Sequence, residues 1–192
     1  MSDESAERGM DEVTEIYIKN LIAFVRLGES YETFRIGVPV GLVSEAIHAT
    51  RWYQDKRWCN STAAKKVNRV MSRGAALELE KLSSPKAFAD GTTLEHPNEK
   101  QRMYSELLRG GPVITRDDVI NVLGRYPLVT VTKAEDGKLG RTGGPERYER
   151  GEVKVGIVPE VAPHAPASSW TSLAEAGLAR LWGEGRNPQS GS

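Results

Sequence analysis

Apolar residues recur along the early part of this chain at helical spacing. Between residues 11 and 27, Val13, Ile16, Tyr17, Leu21, Phe24 and Val25 fall mostly three or four positions apart, which lines one face of a helix, and Gly28 is placed to stop it. The same spacing predicts a second helix from Pro39 or Val40 to Tyr53, burying Val43 and Ile47. A third is predicted over 61–81, capped by Ser61 or Thr62, with Ala64, Val67, Val70, Met71 and Ala75 inward and Ser83-Ser84-Pro85 ending it. On that helix Lys65, Lys66, Arg69 and Arg73 would share an outward face.

From residue 92 the pattern changes. Thr92-Thr93-Leu94-Glu95-His96 reads as an extended run, and Pro97 keeps His96 out of helical geometry, at a strand end or in a loop. A helix is expected from about Asn98 to Leu108, closed by Gly110-Gly111, and another from the Thr115 cap to Gly124. A strand at 127–132 runs into Thr132-Lys133-Ala134-Glu135, the capping-box pattern of a helix start. Alternation of Val153, Val155 and Ile157 predicts a strand within 152–158. The fold class is therefore α+β: a helix-rich single domain over 11–158 with a small β element near 92–96, 127–132 and 152–158. Residues 1–10 read as a disordered acidic tail, 159–168 as a proline-rich linker, 169–183 as a carboxy-terminal helix and 184–192 as a disordered tail. The last helix carries Trp170, Ala174, Leu178, Leu181 and Trp182 near one side, a stripe suited to the parent domain, to a protein partner or to self-association.

The 192 residues hold 26 Lys+Arg against 26 Asp+Glu, which excludes a uniformly basic coat for nucleic acid. The balance conceals an uneven distribution. Residues 1–15 carry six acids and one base, whereas residues 51–73 carry seven bases (Arg51, Lys56, Arg57, Lys65, Lys66, Arg69, Arg73) and one acid, Asp55. Trp52 and Trp58 lie among those bases, so the block offers cations for phosphates and rings for base stacking, and DNA or RNA is the expected partner. The plainer reading is a solvated helix face beside core aromatics. No run approaches the ~18 apolar residues that a membrane helix needs. The acidic start does not resemble a signal peptide and the single Cys59 cannot form an internal disulfide, so a cytoplasmic location is expected.

Phosphate-loop, dinucleotide, zincin and Cys-x-x-Cys patterns are all missing from the sequence. Among His48, His96 and His164, only His96 has carboxylate and amide neighbours at a strand end, in Glu95 and Asn98. The segment Thr93-Leu94-Glu95-His96-Pro97-Asn98 resembles the [Asp/Glu]-His-x-x-Pro core of HNH-type (ββα-metal) endonucleases, and 128–138 looks like that family's second strand and helix. The resemblance covers residues 92–140 and departs from the pattern in its long insertion between strands and in Pro97 following the histidine directly. It implies a metal-dependent nuclease with His96 as general base.

The same inventory serves phosphodiester hydrolysis on chemical grounds. His96 could activate water, Glu95 and either Glu135 or Asp136 could hold Mg²⁺ or a similar divalent metal, and Lys133 or Lys138 could steady the transition state. The other reading is a non-catalytic module that binds nucleic acid or protein through the basic 61–81 helix. Arg141, Arg147 and Arg150 with the neighbouring glycines read as a connector whose amides could hold phosphate.

Overall fold

A computed structural model describes residues 12–32, 35–48, 66–81, 84–97, 100–140, 144–158 and 166–176. Its elements run α1 Glu12–Arg26, α2 Gly37–His48, β1 Val70–Ser72, α3 Arg73–Lys81, α4 Pro85–Gly91, β2 Thr92–Glu95, α5 Lys100–Leu108, a 3-10 turn Gly111–Val113, α6 Arg116–Gly124, β3 Val129–Thr132, α7 Lys133–Asp136, α8 Glu146–Arg150, β4 Val155–Ile157, α9 Pro166–Ser169 and β5 Thr171–Ser172. The chain is an α+β protein: helices dominate and one five-stranded sheet has the order β2-β3-β1-β4-β5.

The first helix forms where the periodicity placed it, with Leu21 and Val25 buried and Tyr17 and Phe24 packed against the core as expected, but with the inward face rotated away from Val13 and Ile16. Thr14, Ile18, Leu21 and Val25 are buried, whereas Val13 and Ile16 are 59% and 55% exposed. The buried stripe advances by steps of four, three and four along the whole helix, and Val13 and Ile16 lie off it. Gly28, at φ 66°, ends α1: its N–H donates to Val25 O (3.0 Å) while the Glu29 N–H donates to Phe24 O (3.0 Å), the paired bonds of a glycine-terminated helix. Helices α1, α2, α5 and α6 then enclose Leu21, Val40, Val43, Met103, Leu107 and Leu123 in one apolar core. Helix α6 opens as expected on Thr115, whose hydroxyl accepts from the Asp118 N–H while the Asp118 carboxylate accepts from the Thr115 N–H.

The three strands read from the sequence are all present as β2, β3 and β4. The helix expected over 61–81 is corrected. Residues 61–65 lie outside the described residues, and Val70–Ser72 is the central strand β1, parallel to β3 through Met71↔Thr130 and antiparallel to β4 through Met71↔Gly156. A strand with partners on both edges satisfies the backbone of a short buried segment as fully as a helix would. Helix α3 begins only after it, where the Ser72 hydroxyl accepts from the Ala75 N–H (3.0 Å).

The helix expected over 169–183 is corrected as well. Residues 166–169 form the short α9, 171–172 form the edge strand β5, and 177–183 lie outside the described residues. Trp170 docks on the parent sheet: its indole N–H donates to Met71 O (3.1 Å), the Arg73 guanidinium lies 5.4 Å from its ring centroid, and a Cβ on Gly156 would come within 2.5 Å of the ring. No helix among the described residues is long and apolar enough to cross a membrane.

Candidate functional site

The end of β2 is where the helical core meets the sheet. Strand β2 pairs with β3 in antiparallel register, Thr92↔Thr132 through Glu95↔Val129, and the chain leaves the ladder at His96. Pro97 is buried and the next described helix is α5, so His96 stands at the strand-to-helix turn predicted for it.

The strongest organiser of this turn is Arg147, which the sequence offered only as part of a basic connector. It is 6% exposed on α8. Its Nη2 donates both to the Glu95 carboxylate and to His96 O (2.9 Å), and its Nη1 donates to Gly140 O (3.0 Å). The guanidinium also lies 5.5 Å from the centroid of the neighbouring Tyr148 ring. A buried cation needs a paired anion and filled donors, and Glu95 with two carbonyls supplies most of that. Burial raises the Glu95 carboxyl, which Arg147 opposes and Asp136 reinforces. Burial likewise pushes the Tyr148 phenol up, with Glu95 and Asp136 adding to the effect.

His96 has the opposite character. Its Nε2 is closed off from solvent and has no hydrogen-bond partner among the described residues. Burial, reinforced by Lys100 of α5, His48 of α2 and Arg147 of α8, pushes the imidazole down to about 3. At neutral pH it is therefore an uncharged ring. His48 is used differently: its ring donates from Nε2 to Leu123 O (3.2 Å), and burial holds its pKa down.

The carboxylates left interchangeable by spacing are separated by the fold. The Glu135 carboxylate accepts from the Ser72 hydroxyl (2.5 Å), the Thr132 N–H (2.9 Å) and the Thr132 hydroxyl (2.9 Å), and its Oε1 would lie 2.6 Å from a Cβ on Gly74. It is the capping-box acid of α7, as the pattern predicted, and it also braces the start of α3. Asp136 is the acid that faces Glu95 and Tyr148 electrostatically. Glu135 is thus removed from the candidate metal ligands. Glu95 is committed to Arg147, and no group of three or more His, Cys, Asp or Glu able to hold a metal occurs among the described residues. Among the described residues, the donors present do not form a set that would hold a divalent ion by themselves.

Lys133 is also displaced from its assigned role. The β2–β3 register puts it beyond Thr132, at the opposite end of the strand pair from His96. At ~3.3 Å per strand residue, that separates the two by more than ~10 Å along the strands. Lys133 is exposed and faces Lys66 instead.

The basic block is described only in part. Arg51, Lys56, Arg57, Lys65, Trp52 and Trp58 lie outside the described residues. Lys66 points inward, its ammonium donating to Ala89 O (2.5 Å) and Thr92 O (2.6 Å) where α4 ends and β2 begins, with burial lowering its pKa. Arg73 donates to Ala167 O and covers Trp170. Of the four cations assigned one outward face, only Arg69 is exposed within the described residues. Of the glycine-containing connector, residues 141–143 lie outside the described residues, and the Gly144 N–H donates to Glu146 Oε1 (2.8 Å).

No protein-family model, curated protein or solved structure matches this chain.

Proposed function

We propose that the protein processes nucleic acid as a phosphodiester hydrolase in which His96 is the general base. The observation that carries this reading is the unpartnered Nε2 of His96 at the end of β2. Shutting a polar atom away without a partner costs about 1–3 kcal/mol, and a buried polar group left so in a folded protein calls for a functional explanation. Support comes from the surroundings. Strand β3, paired antiparallel with β2, leads into the short helix α7, although α5, the 3-10 turn and α6 stand between the two strands in the chain. Asp136 and Glu95 bring negative charge to the site while Arg147 and Lys100 offset it.

In the proposed step, the turn at His96 opens to substrate and a water at the phosphorus gives its proton to the imidazole as its oxygen bonds to phosphorus; the ester oxygen departs with the bonding electron pair and takes up a proton from solvent. Glu95 and Arg147 do not touch the reacting atoms. They keep the turn that carries the imidazole in place.

Purified protein incubated with supercoiled plasmid and with structured RNA, in parallel with Mg²⁺, Mn²⁺, Ni²⁺ and chelator, tests the proposal. Nicking or cleavage by wild type that falls at least ~100-fold in His96→Ala is the expected result, in the range that losing a general base produces. Cleavage that survives this substitution removes His96 from the reaction.

A further inference from the structure

We infer that Arg147 is the positioning residue for His96, acting as a clamp that ties the end of β2 to the 137–140 turn and to α8. This inference rests on the hydrolase reading for its kinetic consequences, but its structural content stands apart from it.

The geometry is specific to a guanidinium. One nitrogen, Nη2, reaches both the side chain of Glu95 and the main-chain carbonyl of His96, so consecutive residues are held by one group. The second nitrogen, Nη1, reaches Gly140 O across the plane. A planar fork can serve three acceptors from different segments at fixed angles, whereas an ammonium on a flexible stem is a point charge. Burial of Arg147 at 6% exposure makes the arrangement an enclosed one, and the Tyr148 ring bounds one side of it.

The held atom matters because the imidazole has no bond of its own to fix it. His96 Nε2 lacks a partner, so the ring's direction is set by its backbone and by packing. The carbonyl of His96 is the backbone atom that Arg147 grips. Glu95 in turn fixes Arg147, and the two form one unit that places the histidine.

Three variants of the full chain test this: Arg147→Lys, Glu95→Gln and the double substitution. Steady-state cleavage of the plasmid or RNA substrate should show kcat reduced ~10–100-fold in each single variant with KM changed less than ~3-fold, as expected when supporting groups rather than substrate contacts are lost. The double variant should lose no more than the worse single variant, because both act through the same arrangement. A catalysis-independent readout accompanies it. The ¹H–¹⁵N spectrum of the His96 ring should show one neutral tautomer in wild type and shifted or averaged ring signals in Arg147→Lys and Glu95→Gln. Glu95→Gln conserves shape, and its amide spectrum establishes folding if Arg147→Lys does not fold. Unchanged ring signals in the folded variants, a wild-type kcat, or losses that multiply in the double variant would overturn the clamp. If wild type cleaves nothing, the hydrolase reading fails while the ring spectra still decide on Arg147.

Discussion

At the scale of single residues, the protonation of His96 has a consequence for stability whose sign follows from its environment. Above pH 6.5 the ring is neutral whether the chain is folded or not; below it, the unfolded chain takes up a proton that the folded chain refuses until about pH 3. Stability is therefore drained as pH falls through that window, with a slope approaching about 1.4 kcal/mol per pH unit. Urea unfolding at pH 7, 5 and 4 should show a smaller acid loss in His96→Gln than in wild type, the carboxylate contributions being common to both. Arg147 gives an effect of another kind. Replacing it with Ala leaves the partly buried Glu95 without its partner, and the expected loss is at most about 3 kcal/mol, read as a lower urea midpoint. Gly28 is a third sensitive position: at φ 66° an alanine side chain costs about 1–2 kcal/mol.

At the scale of elements, Glu135 and Asp136 are adjacent on α7 and have separate roles. Glu135 accepts three hydrogen bonds that join β3, α7 and the start of α3, so Glu135→Ala should cost roughly 2 kcal/mol in a thermal or urea melt. Asp136→Asn should leave the melt within ~0.5 kcal/mol and act instead on cleavage, because it faces Glu95 and Tyr148. A melt and a cleavage assay on the two variants should therefore give opposite patterns. These elements also show what the sequence could disclose. The Thr115 cap and the Thr132–Glu135 capping box were readable because a cap and its partners lie within one helical turn, whereas the box that Thr115 completes with Asp118 emerged only in the structure. Strand β1 was not. Its three residues sit among Val67, Val70, Met71 and Ala75, whose spacing fits a helix equally well, and only pairing with distant β3 and β4 decides the matter. Strand β5 is two residues long and leaves no periodic trace.

At the scale of the whole molecule, the site lies where four helices meet a five-stranded sheet. His48 and Lys100 approach His96 from the helical side, and Arg147 and Glu95 hold it from the sheet side. His96 and Glu95 were legible because they are neighbours at a strand end marked by Pro97. Arg147 was missed because its partner Glu95 is 52 positions away, and an arginine near glycines reads as a surface connector until something buries it. The inward turn of Lys66 was hidden for the same reason: its carbonyl partners belong to the end of α4 and the start of β2. Charge counted along the chain thus located a basic segment, and the fold spent two of its cations on internal contacts. The most direct measurement compares single-turnover cleavage rates of wild type, His96→Ala and Lys133→Ala on one nucleic-acid substrate at pH 7. The fold predicts that His96→Ala falls at least ~100-fold while Lys133→Ala, at the far end of the strand pair, stays within ~3-fold of wild type. A His96→Ala rate equal to wild type would contradict the assignment of the site.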